Sequence, residues 1–240
     1  MNKKTIKLIC YLLVLIFVFL IYQKNNYNNY SYTPIGDGFS LGLNSYKINN
    51  YGYSDYIKDY LMKSKKLKTY TKNYCSKNKL IKELEYDIIT NKKVIEKDKK
   101  YNLKSILRES NLITLSIGLD DIKYELVKND LNIESTKVVD KIYTKYKKLF
   151  KLINSYYPHK IILIGYNENS INNKSIKLII NKLNTKLIKN KDIIFINTTS
   201  FMKQSYYLNN HTIYPNTSGY KAISTKIVDK IKNSTCQSKK

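Results

Sequence analysis

Five short apolar runs, at residues 32–36, 67–74, 111–118, 160–165 and 192–197, are separated by segments whose apolar residues recur at helical spacing. This alternation constrains the fold more than any other feature. Strands joined through helices run parallel, because a parallel pair needs a long crossover whereas an antiparallel pair closes through a tight turn. The run Leu112-Ile113-Thr114-Leu115-Ser116-Ile117 is nearly continuous in its apolar character, as expected of a strand covered on both faces. The expectation is an α/β fold, a three-layer α/β/α sandwich around a parallel sheet, in one domain without internal repeats.

The intervening segments carry helical patterns. Residues 51–61 are amphipathic with Ser54 placed near the cap, and residues 78–90 set Leu80, Ile81, Leu84 and Ile88 at helical spacing. Further helices are predicted over 102–109, 133–156 (closed by Pro158), 171–189 and 218–232, with a charged loop over 92–100.

Lys3, Lys4 and Lys7 lead into an apolar run over 8–22, with bulky residues where a cleavage site would need small ones. Residues 1–24 therefore read as an uncleaved signal-anchor, a transmembrane helix with a removed signal peptide as the alternative. A polar stalk over 25–31, a domain over 32–234 and a basic tail over 235–240 would follow. This places the domain at the cell membrane, single-pass, on the extracytoplasmic side. Cys10 lies inside the apolar run, which argues against lipid attachment. Lys and Arg number 43 against 18 Asp and Glu, a net charge of +25, yet Arg108 is the lone arginine and no basic motif interleaves with aromatics. No nucleic-acid partner is expected; a negatively charged envelope suits scattered lysines better. Cys10, Cys75 and Cys236 lack metal spacing, and Cys75 and Cys236 are expected as free or buried thiols, with a disulfide as the alternative outside the cell.

The chemistry-bearing residues lie at the ends of the predicted strands. Gly36-Asp37-Gly38-Phe39-Ser40-Leu41-Gly42 ends the first; Gly52 precedes a helix; Ile117-Gly118-Leu119-Asp120-Asp121 ends the central strand; His211-Thr212-Ile213-Tyr214-Pro215-Asn216 precedes the last helix. In order and spacing these four blocks resemble those of the SGNH/GDSL hydrolases, esterases and acylhydrolases of flavodoxin-like architecture. The resemblance implies a serine nucleophile at position 38, an oxyanion hole made by the backbone at Gly38 and Gly52 with an asparagine at position 120, an aspartate at position 211 and a histidine at position 214. Here those positions hold Gly38, Asp120, His211 and Tyr214.

Serine attack, proton transfer to histidine and stabilisation of an oxyanion each need a side chain that is replaced. Ser40 is the fallback nucleophile, although a turn residue two positions on should point elsewhere. Tyr214 could act as a base only with a depressed pKa, and a packed aromatic is the simpler role. His211 could meet Asp120 or Asp37 across a pocket lined by Asp37 and Asp121, with the backbone of Gly38, Gly52 and Gly118 offering donors. His159 reads as a surface loop residue. Asp37, Asp120, Asp121 and His211 could supply metal ligands, but acids at strand ends commonly cap helices, so neither metal nor cofactor is expected. The expected function is a catalytically degenerate binding or scaffolding domain at the cell envelope, with a glycan or acylated polymer as partner. The alternative is an active esterase with a rearranged site.

Overall fold

The structure, a computed structural model, describes residues 3–26, 29–96, 99–129, 134–208 and 212–237. In chain order the elements are α1 (Lys3–Asn26), β1 (Tyr30–Gly36), α2 (Gly38–Leu41), α3 (Tyr53–Lys63), β2 (Leu67–Tyr70), α4 (Ile81–Ile89), β3 (Lys93–Glu96), β4 (Lys99–Asn102), α5 (Leu103–Glu109), β5 (Leu112–Ser116), α6 (Leu119–Lys128), α7 (Ser135–Asn154), β6 (Ile161–Ile164), α8 (Lys174–Ile188), β7 (Ile193–Ile196) and α9 (Thr217–Gln237). Five strands form one parallel sheet in the order β2-β1-β5-β6-β7. Every residue of β5 and β6 is buried, which is why their sequences are apolar on both faces.

The helices form two packed groups, α3 with α9, and α7 with α4, α6 and α8. Right-handed crossovers place these groups on opposite faces of the sheet, because the chain steps from β1 to β2 in one direction and from β5 to β7 in the other. In α7, Val138, Val139, Ile142, Tyr146, Leu149, Phe150 and Ile153 are buried at three- and four-residue intervals, so one stripe of a lysine-rich helix carries its packing.

The winding direction reverses between β1 and β5, which opens a crevice beyond their C-terminal ends. Gly36 pairs with Ser116 across this gap, and the Asp37 N–H donates to the Ser116 carbonyl at 2.8 Å. Gly36 has φ +123°, and a β-carbon there would collide with that carbonyl, so only glycine lets the strands approach this closely.

Several local expectations are corrected. The charged stretch after residue 92 pairs as the antiparallel hairpin β3–β4, with Val94 half-buried. Gly38–Leu41 is a helical turn capped by Asp37 rather than a loop, and residues 119–128, to which the sequence pattern assigns no element, form the helix α6. Gly52 is the N-cap of α3, with Ser54 in its first turn, near the cap as expected. β1 begins at Tyr30, inside the expected stalk. The expected N-terminal membrane span is not seen: among the described residues no helix is long and apolar enough to cross a membrane. α1 is nonetheless helical over 24 residues, and Ile6, Ile9 and residues 11–19 along it are exposed. The Cys75 thiol donates to the Pro34 carbonyl at 3.3 Å and is free; the side chain of Cys236 lies outside the described residues.

Candidate functional site

β1 and β5 deliver two loops to the crevice. Asp37 follows β1 directly and turns its carboxylate back as the N-cap of α2, accepting from the Phe39 N–H at 3.0 Å. The Ser116 hydroxyl donates to Asp37 Oδ1 at 2.8 Å, and the Tyr166 hydroxyl donates to Oδ2. Asp37 is 3% exposed and makes no ion pair among the described residues. Burial pushes its pKa up to about 7, against the opposing pull of the Tyr166 and Ser116 hydrogen bonds and with the Asp120 charge adding to the rise.

Beneath Asp37 lies a buried hydroxyl chain. The Ser40 hydroxyl donates to the Ile35 carbonyl at 2.8 Å and contacts the hydroxyls of Tyr53 at 2.8 Å and Ser116 at 2.7 Å. Tyr53, Ser40, Ser116 and Tyr166 bring four hydroxyl protons to five contacts. A proton on Asp37 supplies the fifth and lets Ser116 donate to Ser40, which fits the raised pKa. Ser40 is wholly buried and committed to this chain, so its oxygen is not presented to a ligand.

Position 38 lies under Tyr214. A β-carbon built on Gly38 would sit 2.5 Å from Leu43 Cδ1 and 2.7 Å from the Tyr214 hydroxyl oxygen. The two positions therefore converge as the motif spacing implies, but Leu43 and Tyr214 fill the space a serine would need. Tyr214 is 6% exposed and stacks obliquely on Phe39, ring centroids 6.2 Å apart. Burial, then the charges of Asp37 and Asp120, raise its pKa, so the phenol stays protonated and cannot serve as a base near neutral pH.

The remaining expected site residues divide. Asp120 begins α6 at the crevice and pairs with Lys123 at 3.0 Å. Asp121 is turned away, its carboxylate accepting the Ile81 N–H at 2.8 Å at the start of α4 and pairing with Lys145 at 3.2 Å; burial raises its pKa. The Gly52 N–H is spent on Asp55 Oδ2 at 3.0 Å, and Gly52 packs against Gly42. Gly118 caps α6 against the Tyr146 hydroxyl, which donates to the Ile117 carbonyl. His159 is exposed, edge-on to Tyr157. His211 lies outside the described residues.

Over this floor opens a cavity of about 330 Å³. Of the expected residues that the structure describes, only Tyr214 lines it; Asp37, Asp120 and Asp121 do not. Its other walls are amide and hydroxyl groups of Asn78, Asn172, Asn173, Ser45, Ser170 and Thr212, with Lys47 and Lys123 at hand and apolar contacts from Leu119, Ile171, Ile176 and Ile213. Most of these lie outside the four motif blocks, in loops that only the fold brings together. Tyr166 carried a signal of its own, since it directly follows the strand run that ends at Gly165. A larger opening, of about 580 Å³, lies elsewhere on the surface beside α4, away from the crevice.

Comparison with known proteins gives the same picture. The lipolytic G-D-S-L family protein from Veillonella parvula is 15% identical with a TM-score of 0.57, over 82% of this chain and 96% of that one. The lipase Lip_vut3 from a goat rumen metagenome is 14% identical with a TM-score of 0.61, over 82% and 95%. A catalytic mutant of an acetylxylan esterase from Geobacillus stearothermophilus is 11% identical with a TM-score of 0.58, over 83% and 93%. At these identities the likeness is one of fold. No curated protein matches the chain. The family model of the GDSL-like lipases and acylhydrolases matches residues 32–227, most of the chain, and with the convergence of positions 38 and 214 beyond β1 and β5 this means that the chain belongs to the GDSL-like lipase/acylhydrolase family.

Proposed function

We propose that this chain is a non-hydrolytic member of its family, a binding or scaffolding domain attached to the extracytoplasmic face of the cell membrane through the apolar side chains exposed along α1 rather than through a demonstrated span. The observation that carries the reading is the filled nucleophile position: Gly38 has no side chain, and Leu43 and the Tyr214 hydroxyl take up the space beside it. Loss of a nucleophile typically costs several orders of magnitude in rate. The anchoring rests on the lysines that precede an apolar run over 8–22, and on the exposed apolar side chains of α1.

The ligand class follows from the cavity. Neutral amides and hydroxyls suit a polyhydroxylated ligand, the apolar wall suits an acyl substituent, and Lys47 suits an anionic one. An envelope glycan or acylated polymer combines these properties, and the acetylxylan esterase among the structural neighbours supports an acylated glycan.

The reading is tested by rebuilding the family's side chains. The full chain should not hydrolyse p-nitrophenyl acetate, whereas Gly38→Ser, Asp120→Asn, His211→Asp and Tyr214→His combined should turn it over slowly, provided a cooperative thermal melt shows the variant folded. A native chain that matches or exceeds this variant overturns the reading.

A further inference from the structure

The sheet has two edges, and only the C-terminal one carries the candidate site. At the other edge the strands begin and helices α3, α7 and α8 end, because each helix runs back antiparallel to the strand it follows. Exposed lysines stand there: Lys63 at the end of α3, Lys65 between α3 and β2, Lys160 before β6, and Lys189 and Lys191 between α8 and β7. Glu109, Asp192 and Asp229 are the exposed acids near the same turns. The opposite edge also exposes Lys47, Lys123 and Lys174, and its acids Asp37, Asp55, Asp121 and Glu168 are buried in first helical turns or caps, so what singles out the strand-start edge is its place beside the chain's entry from α1. Helix dipoles account for a cation in a last helical turn, but their influence fades within that turn. Lys65, Lys160 and Lys191 stand in the connections beyond it.

The same edge is where the chain enters from α1. α1 ends at Asn26 and β1 begins at Tyr30, so three intervening residues hold this edge within roughly 14 Å of the end of the helix. A cavity of about 290 Å³ opens in the edge, with Tyr30, His159, Lys160 and Lys230 around an apolar floor that includes Leu112 and Ile194. Aromatic and cationic groups around an apolar floor are the composition that settles at a bilayer interface.

We propose that this strand-start edge seats on anionic phospholipid headgroups, which fixes the orientation of the domain on the membrane. The proposal rests on the anchored reading above. It has a geometric consequence: β1 rises about 3.3 Å per residue, so the candidate cavity faces away from the bilayer at a height of roughly 20 Å. The cavity's ligand would then lie in the envelope beyond the headgroups, not in the bilayer.

The test uses the full chain in phosphatidylcholine nanodiscs with and without phosphatidylglycerol, labelled briefly with a water-soluble amine-reactive ester and read lysine by lysine by mass spectrometry. Labelling of Lys65, Lys160, Lys189 and Lys191 should fall several-fold in the anionic discs and recover in high salt, while Lys47 and Lys174 at the far edge stay unchanged. Lys189→Glu with Lys191→Glu, both exposed, should release the protection of Lys160. Equal labelling of the two edges, or protection indifferent to lipid charge, overturns the seat. Failure of the anchor is separately visible: a chain that leaves carbonate-washed membranes contradicts the anchored reading whatever the labelling shows.

Discussion

Gly38 and Asp37 stand side by side and make separate predictions. Gly38→Ser forces a side chain against Leu43 and Tyr214 and should destabilise the fold by about 1–3 kcal/mol in urea melts. Tyr214→His in the same chain should recover part of that loss, and a Gly38→Ser variant as stable as the native chain would mean that the space is open. Asp37 predicts a pH effect. Its folded pKa, near 7, is raised above the unfolded value near 4, so the folded state holds the proton more tightly. Its contribution to stability is therefore fully present below about pH 4 and declines as pH rises toward about 7. Asp37→Asn should flatten that decline, and parallel pH profiles for the two proteins would contradict it. Neither effect was legible in the sequence. The motif spacing brings positions 38 and 214 together, but which atoms fill the gap depends on side-chain directions, and the chain from Tyr53 to Tyr166 through Ser40, Ser116 and Asp37 joins residues from three strand ends and a helix.

Among the elements, α6 is tied down by polar groups as much as by its apolar face. Asp121 in its first turn accepts the N–H that starts α4 and holds Lys145 of α7, so Asp121→Ala should cost about 2–4 kcal/mol of stability, measured by thermal or urea unfolding. A loss below about 0.5 kcal/mol would show that these contacts are not maintained in solution. Element type was legible wherever burial produced a periodic pattern, as in α7 and β5. It was obscured in three places. The hairpin β3–β4 has one half-buried Val94 among lysines and reads as a solvated charge run. Glycines around Asp37 suggested a loop, although the Asp37 side chain caps a helical turn. In α6 the buried Leu119, Ile122 and Leu126 recur at helical spacing around the acidic pair Asp120 and Asp121 of the first turn, a helix signal overshadowed by the motif that shares its first residues.

For the whole molecule, the alternation of strands and helices was enough to place every chemistry-bearing block at one edge of a parallel sheet, and the reversal of winding between β1 and β5 explains why a crevice forms there. Family membership follows from that arrangement, while activity depends on four side chains that the arrangement does not supply. Ser40 is the remaining route to hydrolysis, and its hydroxyl is buried against Ile35, Tyr53 and Ser116. The most direct measurement is esterase activity of the purified full chain on p-nitrophenyl acetate beside its Ser40→Ala variant. The account predicts that neither exceeds the buffer rate and that Ser40→Ala unfolds more easily by about 1–3 kcal/mol. Turnover by the native chain that disappears in a folded Ser40→Ala variant would contradict it.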